Sequence, residues 1–305
     1  MEQEIIQWIK SVGNTESANV LLGIGDDAAI LNFPDSSVAT TDVIAEGTHF
    51  DLNTISLQQV GRKAMAVNLS DLAAMGSRPA AALVTLQLPN AFKLEQVQEL
   101  FSGFQQLANQ YHFPIVGGDT NRWEGDLVVG ATLIGKPMFA NQKGYWRLAS
   151  GNPGDAIYVT GEFGGSLVER HTTFSPQLEM AAHLLKHHNI ASATDASDSL
   201  ALDLAHLASA SGTGFEIDSR RIPISNDAIK HSSSTGLSPL EHALYDGEDF
   251  QLIVCVPEDQ ISAMETDTNL PDRFTRIGQL NDTGVFTMID EIGISHPLPI
   301  KGYQH

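Results

Sequence analysis

The stretch Gly61–Pro79, GRKAMAVNLSDLAAMGSRP, holds a helix whose residues Ala64 to Ala74 are apolar on almost every side, yet it carries Asn68 and Asp71. Ser56 reads as its N-cap, and the helix is expected to stop before Gly76. A helix that is apolar all round is a buried one. Asn68 and Asp71 are three apart and so share a face. A carboxylate in that setting is costly unless it is paired or metal-bound.

Working outward, the same anomaly recurs. GIGDDAAIL (Gly23–Leu31) carries Asp27, VATTDVIAEGTHF (Val38–Phe50) carries Asp42, IVGGDTNR (Ile115–Arg122) carries Asp119, and ATDASDSL (Ala193–Leu200) carries Asp195 and Asp198. Taken singly, Asp198 could cap a helix and Asp27 could close a turn. Taken together, shared cations explain them more economically, and hard cations such as Mg²⁺ take oxygen ligands. Thr40, Thr41 and Ser197 add hydroxyls beside the carboxylates. The pattern points to phosphoryl-transfer chemistry.

Composition narrows the field. The 305 residues are 42% hydrophobic, enough for two domains with full cores. Lys plus Arg number 17 and Asp plus Glu 37, a formal net charge of −20. Such a surface repels nucleic acid and anionic membranes, so neither is expected as a partner. An anionic substrate then needs local cationic or metal help. A single cysteine, Cys255 in QLIVCVP, excludes a disulfide framework and a cysteine zinc site. There is no apolar run of membrane-spanning length, and MEQEIIQWIKSVG lacks the basic and apolar regions of a signal peptide. The expectation is a soluble cytoplasmic protein.

Periodicity predicts a helix over 3–12, strands at Ala28–Asn32 and Val38–Asp42 joined by a turn at Pro34-Asp35, and a strand at Ala80–Leu88. A surface helix is expected at Lys93–Tyr111 and a strand at Leu127–Ile134. The turn cluster SGNPGD marks the expected boundary between an N-terminal domain, 1–148, and a C-terminal domain, 149–305. Beyond it come a strand at Ala156–Thr160, a helix opening at Gly164–Glu169, helices at Pro176–His188 and Asp198–Ser211, a strand at Gln251–Val256, and strands near Thr275 and Val285. Mixed order in both halves predicts two α/β or α+β domains.

Other motifs carry less. Gly130–Lys136 matches GxxxxGK, but its apolar interior and the following Pro137 make it a strand. GEFGGS (Gly161–Ser166) could hold an anion at a helix start or simply form a tight connection. His183 and His187 read as a solvated helix face. His49, in EGTHF, stands at the mouth of a candidate site or is structural, and YDGEDF (Tyr245–Phe250) is either functional or a charged turn.

GIGDDAAIL, TTDVIAEGTHF, GRKAMAVNLSDLAAMGSRP, GGDTNR, DASDSL and YDGEDF occur here in the order and spacing of one family. From about Gly23 to Tyr303 the chain resembles the thiamine-monophosphate kinases of the aminoimidazole ribonucleotide synthetase superfamily. NLSDLAAMG is the most specific motif. The resemblance implies two α/β domains, with the N-terminal ones pairing into a homodimer and active sites between domains and across the dimer seam. It also implies transfer of the ATP γ-phosphoryl group to thiamine monophosphate, with Mg²⁺ clustered at the phosphates. Carried over by motif, Asp27, Thr40, Thr41, Asp42, Asp71, Asp119, Asp195 and Asp198 would hold metal, with Asp42, Asp71 and Asp119 central to catalysis. ATP would meet Gly118, Asp119, Arg147 and Ser197, and thiamine monophosphate would meet His49, Glu248 and Tyr303. Three positions depart from the pattern: Ser199 stands where the family usually has glycine, Gln177 where it usually has arginine, and Ala28 where it usually has cysteine, the last expected to be a harmless packing variation.

Overall fold

The protein's structure, a computed structural model, describes residues 20–22, 30–32, 36–142, 144–168 and 170–303. The expected helix over 3–12, the Pro34-Asp35 turn and Asp27 lie outside the described residues. The chain divides into two compact units, residues 1–72 with 77–141, and residues 73–76 with 142–305. Two short strands, β1 (Val20–Leu22) and β2 (Ile30–Leu31), pair antiparallel with each other.

The first unit is built on a four-stranded sheet. β3 (Val38–Ala45), β4 (Ser77–Pro89), β5 (Ile115–Trp123) and β6 (Val128–Pro137) lie in the order β3-β6-β4-β5, and only the β4–β5 pair is parallel. That pair needs a crossover, supplied by helix α2 (Leu94–Gln110), while α1 (Leu57–Ala74) links β3 to β4. Ser56 caps α1 as expected, its Oγ accepting from the Gln59 amide at 3.2 Å. Residues 63–70 of α1 are buried without a break, Lys63 and Asn68 included. The two helices touch backbone to backbone. A Cβ on Gly61 would lie 2.0 Å from the Leu100 carbonyl oxygen, and one on Gly103 would lie 2.0 Å from that of Gln58. Side chains alternate along β3, so Thr40 and Asp42 face α1 while Thr41 and Val43 face away.

The second unit carries a seven-stranded sheet in the order β13-β12-β9-β11-β7-β10-β8. The strands are β7 (Ala156–Thr160), β8 (Ser192–Asp195), β9 (Gly214–Asp218), β10 (Leu252–Val256), β11 (Phe274–Asn281), β12 (Phe286–Ile289) and β13 (Ser295–Pro297). Every pairing except β9–β12 is antiparallel. Helices α3 (Arg170–Thr173), α4 (Leu178–His187), α5 (Leu200–Ala210), α6 (Asn226–Thr235), α7 (Pro239–Tyr245) and α8 (Ile261–Glu265) complete it. Leu200, Leu204 and Leu207 of α5 pack with Ile157, Phe215 and Ile253 of the sheet into one core.

Several expectations need correction. α5 starts at Leu200, not Asp198, because Ser199 is the residue whose Oγ accepts the Leu202 amide, at 3.0 Å. The expected helix at Gly164 is a short 3-10 turn, Ser166–Val168, since Gly164 and Gly165 both take positive φ. Strands β1, β5, β8, β9 and β13 were not anticipated. The apolar runs of β4 and β6 form the two central strands, so burial inside the unit already accounts for one of their faces. Among the described residues, no helix is long and apolar enough to cross a membrane.

Candidate active site

In the first unit, β3 and α1 bring three oxygen donors together. Thr40 Oγ1 donates to Asp71 Oδ2. Asp42, two residues further along the same strand face, lies within hydrogen-bonding reach of Asp71. Burial raises the Asp42 carboxyl above its ordinary range, against the opposing pull of Asp71. Its Oδ2 is buried without a hydrogen-bond partner among the described residues, and so is Oδ1 of Asn68, whose Nδ2 donates to the Ala64 carbonyl at 3.1 Å. Two ionised carboxylates have no hydrogen to share, so a proton or a cation must lie between them. A buried charge stripped of its partner costs about 3–5 kcal/mol, a large part of the roughly 5–15 kcal/mol that stabilises a typical domain. Carboxylate, hydroxyl and amide oxygens are the donors a hard cation takes. These residues therefore fit Mg²⁺.

Not every residue carried over from the family joins that group. Thr41 faces the other side of the sheet, where its Oγ1 meets the Ala131 carbonyl at 3.2 Å and Thr132 Oγ1 at 2.8 Å. Asp119 is exposed on β5, in register with Thr85, and accepts from Asn121 Nδ2 at 2.7 Å. β5 is three strands from β3, about 14 Å at ordinary strand spacing. With Mg–O bonds of about 2.0–2.1 Å, Asp119 and Asp42 of one chain do not ligate the same ion. Gly118 has φ +154°, and a Cβ there would lie 1.8 Å from the Val84 carbonyl oxygen, so the glycine is demanded by the sheet itself. His49 sits in the turn after β3. Its Nδ1 accepts from the Ala45 amide at 3.1 Å, which places the proton of the neutral ring on Nε2. Buried Lys63 donates to the His49 carbonyl at 2.8 Å.

In the second unit the gathering is tighter. Asp195 ends β8, and the following loop leads into α5. Asp203, one turn into α5, accepts from the amides of Asp198 at 2.9 Å and Ser199 at 3.0 Å. Its carboxyl is pushed up to about 7, first by burial and further by the charges of Asp195 and Asp198, while the Ser199 amide opposes the rise. The YDGEDF loop packs on the same segment. Glu248, with φ +53°, donates its amide to the Ser197 carbonyl at 2.6 Å, and a Cβ on Gly247 would lie 2.5 Å from the Asp198 carbonyl oxygen. The C-terminal segment closes over it: Tyr303 N donates to the Asp198 carbonyl at 3.0 Å, and Ser199 Oγ donates to the Lys301 carbonyl at 2.8 Å. Asp195, Ser197, Asp198, Glu248 and Tyr303 thus surround one loop. Glu248 is also held by His171, whose Nδ1 is 3.1 Å from its Oε2.

Arg147 stands elsewhere. It is exposed beside the 3-10 turn Leu148–Ser150, and the Leu148 carbonyl accepts from Ser211 Oγ at 3.1 Å, at the C-terminal end of α5. That is about 16 Å along the helix from Ser199. The departures at Ser199 and Gln177 are structurally accommodated, and Ala28 lies outside the described residues. Ser199 has extended φ/ψ and caps α5, and Gln177 Nε2 donates to Gln251 Oε1 at 2.9 Å.

GEFGGS is not left open for an anion, because carboxylates of the protein already take its amides. Gly164 N donates to both oxygens of Asp249 at 3.0 Å, and Gly165 N to Asp246 Oδ2 at 2.9 Å. Burial pushes the Asp249 carboxyl up to about 7 despite Arg170, whose Nη2 is 2.5 Å from its Oδ1. Asp203 was not singled out in the sequence, and Asp246 and Asp249 were read there only as part of the YDGEDF motif. Asp203 had one signal, a carboxylate in the first turn after a serine cap.

Residues 25–136 match the AIR synthase related protein N-terminal domain, and residues 152–291 match the corresponding C-terminal domain. The thiamine-monophosphate kinase of Rhodopirellula baltica is 38% identical over 317 aligned residues, covering 100% of this chain and 97% of that protein. The chain belongs to the thiamine-monophosphate kinase family. Solved members share its fold. The thiamine-monophosphate kinase of Stenotrophomonas maltophilia aligns at TM-score 0.77 and 30% identity over 93% of this chain and 94% of its own. AaThiL complexed with AMPPCP and TMP aligns at TM-score 0.77 and 28% identity over 100% and 96%.

Proposed function

We propose that this kinase transfers the γ-phosphoryl group of ATP to thiamine monophosphate, giving thiamine diphosphate and ADP. An oxygen of the acceptor phosphate forms the new bond to the γ-phosphorus. The β,γ-bridging oxygen leaves with its electron pair on ADP. The acceptor's second pKa is about 6, so it is mostly a dianion at neutral pH and needs no general base. The obstacle is repulsion between two polyanions on a protein of net charge −20. When bound, Mg²⁺ supplies charge neutralisation and in-line orientation of the phosphates.

The observation that carries this reading is the buried Oδ2 of Asp42, without a hydrogen-bond partner among the described residues, beside the Thr40–Asp71 pair. Thr40, Asp42 and Asp71 form one metal-holding group, and Asp195 with Asp198 a second. Asp27, Thr41 and Asp119 are assigned to further ligand positions, and the distance between strands means that Asp119 and Asp42 of the same chain serve separate ions. Gly118, Asp119, Ser197 and Arg147 are assigned to ATP. His49, Glu248 and Tyr303 are assigned to thiamine monophosphate, where an aromatic ring suits a cationic thiazolium.

The N-terminal domain, 1–148, is assigned to dimerisation and to metal and ATP binding, and 149–305 is assigned as the C-terminal α/β domain. Support for a homodimer comes from the sheet face turned away from α1, where Val43 is 58% exposed. ATP as co-substrate favours a cytoplasmic setting. The test is to incubate the purified chain with ATP, thiamine monophosphate and Mg²⁺. Equal amounts of ADP and thiamine diphosphate are expected, and ATP breakdown without thiamine diphosphate contradicts the reading.

A further inference from the structure

Away from both acidic groups, the second unit brings His183, His188 and Asp267 together. His183 lies on α4, His188 is the C-cap of that helix, and Asp267 follows α8. The expected solvated face is therefore wrong for His183, although His187 is exposed. Nε2 of His183 and Nε2 of His188 each stand 2.7 Å from the same oxygen, Asp267 Oδ2. Their side chains are 13% and 5% exposed, and that of Asp267 is 8% exposed. The Asn269 amide fixes Asp267 Oδ1 at 2.9 Å. The other nitrogen of His188, Nδ1, is buried with no hydrogen-bond partner among the described residues. Two imidazole nitrogens thus compete for one carboxylate oxygen.

We propose that His183, His188 and Asp267 form a binding site for a borderline divalent cation of the Zn²⁺ class. Two imidazole nitrogens and one carboxylate oxygen are the donors of Zn²⁺, Co²⁺ or Ni²⁺, whereas Mg²⁺ takes oxygen. The ligand atoms already lie within 4.8 Å of one another. Bonds of about 2.0–2.1 Å in a tetrahedron set ligand atoms about 3.3 Å apart, so small rotations that open the 2.7 Å contacts admit the ion. Each ring bound through Nε2 then carries its proton on Nδ1. A fourth position is left for water. The bound ion ties the end of α4 to the segment between α8 and β11.

The test is a Co²⁺ titration of the full chain after chelator treatment, read by visible absorption, with Zn²⁺ as competitor. One equivalent with tetrahedral bands is expected for the native chain and for His187→Gln. Asp267→Asn, close to isosteric, and His188→Gln are expected to weaken binding at least about tenfold, with circular dichroism confirming that each is folded. No binding by the native chain, or equal binding by folded Asp267→Asn, overturns the proposal and leaves a hydrogen-bonded clasp only.

Discussion

Asp42 in the first unit leaves a buried oxygen without a hydrogen-bond partner among the described residues, whereas Asp203 in the second takes the amides of Asp198 and Ser199. Both groups read alike in the sequence, as carboxylates among small apolar residues. The second is organised by the helix N-terminus, where orphan amides need acceptors whether or not a ligand is present. The first sits between a strand and a nearly all-apolar helix, which supply few donors. Its arrangement favours a cation, while the second holds its shape without one.

Substitutions sharpen the contrast. The largest loss is expected for Asp71→Asn, which keeps the shape and removes a hard ligand. Thiamine diphosphate formation at saturating ATP and Mg²⁺ should fall about 10²–10³-fold, and near-normal turnover would break the distinction. Arg147→Ala should raise the KM for ATP about ten- to a hundredfold, as loss of a charge-assisted contact does, with the KM for thiamine monophosphate unchanged. Tyr303→Ala should raise the KM for thiamine monophosphate about three- to thirtyfold and spare ATP. Equal effects on both substrates would place Tyr303 in packing alone.

The smallest effect is expected from Asp203→Asn and is read in stability. With its carboxyl raised to about 7, folded Asp203 keeps a proton that the unfolded chain releases above about 4. Its contribution to stability therefore falls as pH rises from about 4 to about 7 and is level above that. Urea unfolding in chelator at both ends of this window should show a flatter pH dependence for Asp203→Asn than for the native chain. Identical slopes would mean that Asp203 is ionised throughout.

Much of this was legible in the sequence. α1 could be read because a serine cap, an apolar surface and a terminal glycine agree, and β7 because AIYVT has no competing pattern. β5 escaped because IVGGDTNRW pairs two apolar residues with a polar, glycine-rich tail, and only its partner β4 makes it a strand. The division of Thr40 from Thr41 was available, since adjacent residues on a strand face opposite sides. Asp203 was hidden because a helical aspartate ordinarily faces water; its role depends on where Asp198 and Ser199 turn. His183 was hidden for the same kind of reason, its partner Asp267 being 84 residues away.

Melting temperature and activity of Asp42→Asn, each with and without Mg²⁺, test the central claim most directly. If Asp42 is a metal-holding carboxylate, activity falls by orders of magnitude, the melting temperature without Mg²⁺ is unchanged or higher, and stabilisation by Mg²⁺ shrinks. A variant that melts lower without Mg²⁺ yet turns over normally when folded would contradict the account.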